Sequence, residues 1–275
     1  MRPSRIILSA LPLAAALMAV RGVAVAQERE SAEEWVARCQ RWNRDNGDRE
    51  NFCEQRETRI AAPSRLSVDG RENGGVSVKA WDGSDVLVVQ RIQAWAPSRE
   101  RARSVASDIR VHTAGGEIYA DGPENERRQG YSVSYEIFVP RRMDLRLTTN
   151  NGPIGVDGVT GRMELSANNG PLALRELGGD VHARATNGPL SVVLGGSRWN
   201  GEGLDAATTN GPVTLSVPDG YRATLTTGTI NGPMNVDIPL TVQGRFPRHF
   251  TTQLGGGGAP VRAVTTNGPV VVRRR

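Results

Sequence analysis

The sequence predicts an all-β fold made of a short repeat, and three observations support this prediction. The triplet Asn-Gly-Pro occurs six times in the last 125 residues, and its asparagines are Asn151, Asn169, Asn187, Asn210, Asn231 and Asn267. The copies follow one another at intervals of 18, 18, 23, 21 and 36 residues, a period typical of small units stacked along one axis. Apolar and polar residues alternate on both sides of each triplet, as they do in strands with one buried face.

The alternation keeps nearly the same phase in every copy. Apolar or small residues occupy the positions six and four before the asparagine and three and five after it, as in Val181, Ala183, Leu190 and Val192 around Asn187. The positions between them change character from copy to copy and are predicted to face solvent. Each unit is therefore predicted to be a strand, an Asn-Gly-Pro corner and a second strand.

Two arrangements of these units are open. An Asn-Gly pair between alternating strands is typical of a two-residue hairpin, which would give an antiparallel β-sandwich of hairpins. In that turn the residue after glycine donates its backbone N–H, which proline lacks. We therefore predict a parallel β-solenoid in which each triplet is a corner and glycine supplies unusual backbone angles. Stacked asparagines would lie about 4.8 Å apart, where their amides can form a hydrogen-bonded ladder.

The repeat region is predicted to span residues 64–275, because two degenerate copies precede the six triplets. One has Gly115 in place of the asparagine, and the other begins at Asn73, although its upstream strand is one residue out of phase. Residues 98–109 are predicted to form a helix that begins at Ser98. Residues 240–260 form either a coil without the triplet or a loop.

Residues 1–26 have the features of a secretory signal peptide: Arg2 and Arg5, an apolar stretch over residues 6–20 and small residues at 24–26. The alternative is an uncleaved membrane anchor, for which the apolar stretch is short. We predict no transmembrane span after signal cleavage. The chain is therefore predicted to be exported, to the periplasm, the extracellular space or the cell surface.

Residues 27–62 are a highly charged N-terminal cap segment, expected to contain a short helix, a turn at Asn46 and a return through Phe52. Its cysteines, Cys39 and Cys53, are predicted to form a disulfide, as is usual for a close pair in an exported chain. A loop of this size would stabilise the fold by about 3 kcal/mol; the alternative is two free thiols. The segment would cover the open end of a solenoid, although Trp35 and Trp42 are also suited to stacking on a sugar.

The charge balance argues against nucleic acid as a partner. The chain has 34 basic and 29 acidic residues, and residues 1–26 contain three of the basic ones, so the mature charge is 31 − 29 = +2. Binding to a phosphate backbone depends on many cationic contacts, and this balance is nearly neutral.

The sequence resembles the bacterial DUF4097 family, whose β-strand-repeat members are described as adhesins. The resemblance depends on residues 74–83 (GGVSVKAWDG), residues 133–140 (VSYEIFVP), the Thr-Asn-Gly-Pro blocks such as residues 209–212, and Trp199-Asn200-Gly201. It covers roughly residues 64–275. It implies an exported, solenoid-like repeat and provides no catalytic residues.

The residues themselves indicate neither catalysis, nor a metal site, nor a cofactor. The three histidines, His112, His182 and His249, are far apart in sequence. Asp157 and Asp237 share a column but lie four triplets apart, about 19 Å or more at the strand spacing. We therefore predict a non-enzymatic protein; a polysaccharide-degrading β-helix enzyme is the alternative, since such folds use clustered carboxylates.

The residue before each triplet asparagine is polar and uncharged in five of the six copies. These residues, the predicted polar ridge, are Asn150, Asn168, Thr186, Thr209 and Thr266. We predict an exported scaffold that binds a cell-surface or envelope polymer, such as a glycan, along this ridge in the manner of an adhesin. An envelope protein is the alternative partner, with a role in interaction or signalling. The ridge could also serve only to satisfy backbone groups at the corner.

Overall fold

A computed structural model describes residues 30–42, 49–238 and 248–275. The predicted signal peptide and the turn at Asn46 lie outside these residues. The described chain is almost entirely β-structure with two short helices, which confirms the all-β class. None of the described helices is long and apolar enough to cross a membrane.

The N-terminal half contains both helices. Its elements are α1 (Ala32–Trp42), β1 (Glu50–Ala61), β2 (Arg65–Asp69), β3 (Val76–Trp81), β4 (Asp85–Ala96), α2 (Arg99–Ser107), β5 (Arg110–His112), β6 (Glu117–Asp121) and β7 (Gly130–Pro140). The predicted second helix is confirmed, and the Ser98 hydroxyl caps it by accepting a hydrogen bond from the Arg101 backbone N–H at 3.2 Å.

The triplet repeats form the remaining strands. These are β8 (Asp144–Thr149), β9 (Ile154–Asp157), β10 (Thr160–Asn169), β11 (Leu172–Arg175), β12 (Gly178–Asn187), β13 (Leu190–Val193), β14 (Gly203–Asn210), β15 (Val213–Val217), β16 (Ala223–Asn231), β17 (Met234–Asp237), β18 (His249–Leu254), β19 (Pro260–Asn267) and β20 (Val270–Arg274).

The strands form two ten-stranded mixed sheets. The first has the order β1-β4-β7-β3-β9-β11-β13-β15-β20-β17, and the second has the order β18-β16-β19-β14-β12-β10-β8-β2-β6-β5. Buried side chains from both sheets belong to one hydrophobic core. The repeats are therefore shared between two sheets that contribute to one core.

Each triplet connects the two sheets. The strand before it lies in the second sheet and the strand after it lies in the first, so the flanking strands do not pair with each other as a hairpin would. Equivalent strands of successive copies pair in parallel and in register: Leu165 lies opposite Ala183, and Leu172 lies opposite Leu190. The corner predicted from proline is the observed connection.

The predicted buried columns form the core. Val181, Ala183, Leu190 and Val192 are each at most 2% exposed, and the corresponding positions of the other copies are buried from β8 to β15. Met234 on β17 is half-buried, because β17 is the edge strand of the first sheet.

The degenerate copy at Gly115 is not a corner, and that prediction was wrong. β5 and β6 pair with each other in antiparallel fashion, with Arg110 opposite Asp121. The segment between them contains two adjacent glycines with positive φ, Gly115 at 66° and Gly116 at 79°. Such angles suit a tight reversal, so the chain returns within one sheet.

The degenerate copy at Asn73 does join the stack. β2 pairs with β8 and places Leu66 opposite Leu145, while β3 pairs with β9 and places Val76 opposite Ile154. The one-residue difference in phase is absorbed between these strands, where Arg71 has a left-handed backbone with φ of 54°. This position matters for the candidate site described below.

The last repeat lies out of sequence order. β19 lies between β14 and β16, and β20 lies between β15 and β17. Within the predicted coil or loop at 240–260, residues 239–247 lie outside the described residues. The part that is described forms β18, which pairs with β16 in antiparallel fashion, followed by a turn rich in glycine.

The predicted N-terminal cap contributes the edge strand of the first sheet. β1 pairs with β4 along its whole length, from Glu50 opposite Ala96 to Ala61 opposite Asp85. The disulfide between Cys39 and Cys53 links α1 to β1. Trp35 packs with both cysteines in a small cluster of its own.

Candidate functional site

The asparagines of the triplets form a hydrogen-bonded ladder along one corner of the stack. Each side-chain amide donates to the carbonyl oxygen of the next asparagine, in the order Asn231 to Asn267, Asn267 to Asn210, Asn210 to Asn187, Asn187 to Asn169 and Asn169 to Asn151, with distances of 2.8–2.9 Å. Asn151 donates to Asn73 at 3.4 Å. Seven asparagines therefore share one line of bonds, which we call the asparagine ladder.

The triplet glycines allow neighbouring corners to approach closely. A Cβ atom on Gly170 would lie 2.1 Å from the carbonyl oxygen of Gly152, and one on Gly188 would lie 2.1 Å from that of Gly170. Among the six triplet glycines only Gly268 has a positive φ. The predicted reason for glycine, an unusual backbone angle, is therefore wrong for the other five, which are required by backbone contact between coils.

Buried threonines also tie the corners together, a feature that the sequence analysis missed. Two residues before the asparagine, Thr149 donates its hydroxyl to the carbonyl oxygen of Gly74 at 2.7 Å, and Thr208 donates to that of Gly188 at 2.8 Å. Thr265 and Thr229 make the same contact at 2.9 Å. The recurrence of threonine at this position is the sequence signal that could have revealed the contact.

The predicted polar ridge runs beside the asparagine ladder. From one end to the other its residues are Asn150, Asn168, Thr186, Thr209 and Thr266, followed by Ile230. Asn168, Thr186 and Thr209 are exposed, while Asn150 and Thr266 are half-buried. Asn168 donates its amide to the Asn150 side-chain oxygen at 2.9 Å, and Asn150 donates to Glu72 at 3.3 Å.

The ridge leads into a cleft at its Asn150 end. This cleft has a volume of about 590 Å³ and is lined by Asp69, Arg71, Glu72, Asp121, Tyr131, Thr148, Thr149, Asn150, Ser166 and Asn168. Cavities of this size accommodate small organic ligands. The cleft lies where the first repeat departs from the phase of the others, which is why the repeat pattern alone did not indicate it.

The degenerate copy at Asn73 has one extra residue between β2 and β3, and this segment, which contains Arg71, forms one wall of the cleft. The Arg71 backbone N–H donates to the Asp69 carboxylate at 2.8 Å, and the Arg71 carbonyl accepts from the Asn150 backbone N–H at 3.0 Å. A left-handed φ is uncommon for arginine and is found where surrounding contacts hold it in place. These bonds fix the segment so that the Arg71 side chain lies in the cleft.

The charges of the cleft are mainly negative. The Arg71 guanidinium lies 3.1 Å from the Asp121 carboxylate and 3.5 Å from that of Asp69, and Glu72 is the third carboxylate of the lining. Three acidic side chains therefore face one basic side chain. His112 flanks the cleft, with its Nε2 atom 3.2 Å from Asp121.

Aromatic rings support the same region. The Arg71 guanidinium lies 4.8 Å from the ring centroid of Tyr119, and the His112 ring stacks on Tyr119 at 4.5 Å. Tyr131 lines the cleft itself, and burial raises its pKa, with the charge of Asp121 acting in the same direction. The cleft thus combines a phenol, amides and three carboxylates, two of which pair with Arg71.

A second groove, of about 400 Å³, lies in the first sheet and includes Ser77, Lys79, Arg91, Glu136 and Gly155 in its lining. The Glu136 carboxylate is buried between the Lys79 ammonium at 2.7 Å and the Arg91 guanidinium at 2.9 Å. The Arg91 guanidinium also lies 5.8 Å from the Trp35 ring, so α1 flanks this face. Its lining also includes Gly75, Pro153 and Pro171, so the groove begins at the corners on the first-sheet side.

The side chains considered for catalysis or metal binding are not brought together. β9 and β17 are five strand positions apart in the first sheet, which places Asp157 and Asp237 about 24 Å apart. His182 lies 3.0 Å from Asp180 on the surface of β12. Within residues 30–42, 49–238 and 248–275, no three metal-ligating side chains form a cluster.

No protein-family model and no curated protein matches this chain. Among solved structures, it is similar to a proposed cell adhesion protein from Clostridium sporogenes ATCC 15579, with 8% identity, a TM-score of 0.42 and coverage of 82% of this chain and 100% of the other. A proposed adhesin from Bacteroides fragilis NCTC 9343 has 8% identity and a TM-score of 0.35, with coverage of 81% and 97%. A proposed lipid binding protein from Parabacteroides distasonis ATCC 8503 has 8% identity and a TM-score of 0.35, with coverage of 82% and 97%. Since no family model matches, the similarity to DUF4097 proteins remains a resemblance in the motifs given above.

Proposed function

We propose that this chain is an exported, non-enzymatic β-solenoid scaffold that binds a cell-surface or envelope glycan along its polar ridge, in the manner of an adhesin. The observation that supports this most strongly is the continuity of the ridge with the cleft. Asn150 and Asn168 belong to both. One elongated polar surface with a concave end suits a chain of sugars better than a compact ligand.

The chemistry of the ridge fits carbohydrate. Its exposed groups are amides and hydroxyls, which both donate and accept hydrogen bonds, as sugar hydroxyls do. The Asn168 amide uses one N–H in its bond to Asn150, and an amide has two. The ridge positions repeat at the spacing of parallel strands, about 4.8 Å, so a polymer can meet the same chemistry several times and gain from multivalent contact.

Export is supported by the covalent chemistry of the N-terminal segment. The disulfide between Cys39 and Cys53 is typical of oxidising compartments, and residues 1–26 have the sequence of a signal peptide. In this proposal residues 27–62 act as the cap of the repeat domain formed by residues 64–275. β1 supports this role because it continues the first sheet at its edge.

The test is a binding screen of mature protein, residues 27–275, on immobilised envelope polysaccharides and a glycan array, with released reducing sugar measured in parallel. We expect saturable binding without release. The triple variant Asn168→Ala, Thr186→Ala, Thr209→Ala should lose most of the binding. The matched control, Ser191→Ala with Thr214→Ala on the other sheet, should bind like the wild type.

Other outcomes separate the alternatives. Release of reducing sugar would contradict the non-enzymatic proposal. Equal loss of binding in the ridge variant and in the control would exclude the ridge as the binding surface. If folded protein bound no glycan and co-purified with an envelope protein, the glycan proposal would be wrong and the protein-interaction alternative would be favoured.

A further inference from the structure

Tyr135 presents a buried polar atom without a hydrogen-bond partner. The residue is 3% exposed and points into the core from β7. Its hydroxyl group neither donates nor accepts a hydrogen bond within the described part of the chain. Leaving such a group unpaired costs on the order of 1–3 kcal/mol, so a polar group that reaches this hydroxyl would gain a hydrogen bond.

A small cavity lies beside this tyrosine. It has a volume of about 50 Å³, and its lining comprises Gly70, Arg71, Glu72, Asn73, Ala120, Asn125, Tyr131, Val133 and Tyr135. Burial raises the pKa of Tyr135, and the charge of Asp69 adds to this effect, as expected for a phenol close to the acidic side chains of the cleft. A volume of this size holds a few waters or one small polar substituent.

The cavity adjoins the cleft at the end of the ridge. Arg71, Glu72 and Tyr131 line both spaces. These three side chains therefore lie between the cleft and the cavity, and a ligand group that reaches Tyr135 from the cleft has to displace or pass them. The arrangement is a shallow site with a narrow extension, which suits a ring with one projecting substituent.

The charges select the type of substituent. The carboxylates of Asp69, Glu72 and Asp121 line the cleft, and Arg71 is paired with two of them. A carboxylate or phosphate on the ligand would meet three like charges against one opposite charge. A neutral hydroxyl can instead donate to a carboxylate and pair with the phenol.

We propose that the cleft and the cavity form a terminal subsite for a neutral hexose, with its exocyclic hydroxymethyl group in the cavity and hydrogen-bonded to the Tyr135 hydroxyl. This inference rests on the proposed function and specifies the sugar class that it binds. Tyr131 provides an aromatic surface at the entrance, and Tyr135 determines the specificity. The subsite rejects acidic sugars by repulsion and 6-deoxy sugars because they leave the phenol unpaired.

The experiment compares the binding of matched methyl glycosides by calorimetric or NMR titration. The probes are methyl glucopyranoside, methyl galactopyranoside and methyl mannopyranoside, each with its 6-deoxy and 6-carboxylate counterparts. The proteins are the wild type, Tyr135→Phe and the triple ridge variant. Because the Tyr135 hydroxyl has no partner among the described residues, Tyr135→Phe should be at least as stable as the wild type, which urea denaturation verifies.

We expect the wild type to bind at least one hydroxymethyl sugar about tenfold more tightly than its 6-deoxy counterpart, in line with the cost of an unpaired buried group. The 6-carboxylate should bind most weakly. Tyr135→Phe should remove the preference for the hydroxymethyl group while retaining affinity for the 6-deoxy sugar.

The failures of the two proposals differ. The subsite is wrong, and the proposed function stands, if the wild type binds glycans through the ridge but binds hydroxymethyl and 6-deoxy sugars equally well. The same conclusion follows if Tyr135→Phe still prefers the hydroxymethyl sugar. If Tyr135→Phe changes nothing and a crystal structure shows a bound water only in the cavity, the subsite is also excluded. If neither methyl glycosides nor polysaccharides bind, both proposals are wrong.

Discussion

The side-chain amide of Asn267 donates a hydrogen bond to Asn210 at 2.8 Å, across 57 residues of sequence. Asn231 lies between these two residues in the chain, but its side-chain amide donates to the side-chain oxygen of Asn267 at 2.9 Å. The last repeat is therefore inserted between two earlier repeats. β19 pairs in parallel with β14 on one side and with β16 on the other, so it bridges two second-sheet strands that are neighbours in sequence order.

The position of an asparagine in the ladder should determine how much it stabilises the fold. Asn267→Ala removes two hydrogen bonds, whereas Asn231→Ala, at the end of the ladder, removes one. With about 0.5–1 kcal/mol for each exposed bond, we expect the free energy of unfolding to fall about twice as much for Asn267→Ala. Urea denaturation measures both values. Equal losses would show that the ladder does not act through its bonds.

The triplet glycines should be intolerant of any side chain. In Gly170→Ala the new Cβ would lie 2.1 Å from the Gly152 carbonyl oxygen, whereas in Gly155→Ala its nearest contact is the Ser77 hydroxyl at 3.8 Å. Overpacking against backbone cannot be relieved by a rotamer change, so we expect Gly170→Ala to lose more than about 2 kcal/mol. The control Gly155→Ala should change stability by less than about 0.5 kcal/mol. Similar melting temperatures for the two variants would contradict the close-approach explanation.

The two faces of a repeat strand should respond differently to substitution. Leu190 is 1% exposed in the core, and Leu190→Asp would bury an unpaired charge there. Arg175 is exposed, and its ion pair with Asp157, at 3.7 Å, is of the kind that contributes little. We expect Leu190→Asp to unfold several coils and Arg175→Ala to remain within about 0.5 kcal/mol of the wild type. Circular dichroism during thermal unfolding distinguishes them, and comparable effects would mean that the assigned faces are wrong.

Asp205 should make stability depend on pH. Burial acts to raise its pKa, but hydrogen bonds from Arg184 and from Arg262, the latter at 2.7 Å, outweigh this effect and hold the pKa below the usual value of 3.8. A pKa lowered in the folded state stabilises the fold above the unfolded pKa, and the contribution is lost as the pH falls through the folded value. The wild type should therefore exceed Asp205→Asn in stability at pH 6, and the difference should shrink below pH 4. A difference that stays constant from pH 6 to pH 2 would contradict this.

The repeat made much of the fold predictable from sequence. Alternation around each triplet identified buried positions such as Leu190, and proline after glycine correctly indicated a corner between sheets. The order of the coils could not be predicted, because Asn267 carries the same local pattern as every other copy and nothing local specifies its neighbours. The hairpin at Gly115 was missed because a tight reversal and a corner share the same apolar spacing.

The candidate site was only partly predictable. The polar ridge followed from the phase of the repeat, since its residues occupy one position of each copy. The cleft depends on Arg71, whose left-handed backbone absorbs the extra residue, and on Asp121 and Tyr131 from segments outside the triplet pattern. A break in phase was visible in the sequence, but its consequence depends on which distant strands pack beside it.

The most direct measurement of the central claim is the NMR mapping of a bound oligosaccharide on isotope-labelled mature protein. The side-chain amides of Asn150 and Asn168 and the backbone amides of Thr186 and Thr209 should shift with a common saturation curve. The outward positions of the first sheet, including Ala173 and Ser191, should not shift. Shifts confined to the first sheet, or the absence of saturable shifts along the ridge, would contradict glycan binding at this surface.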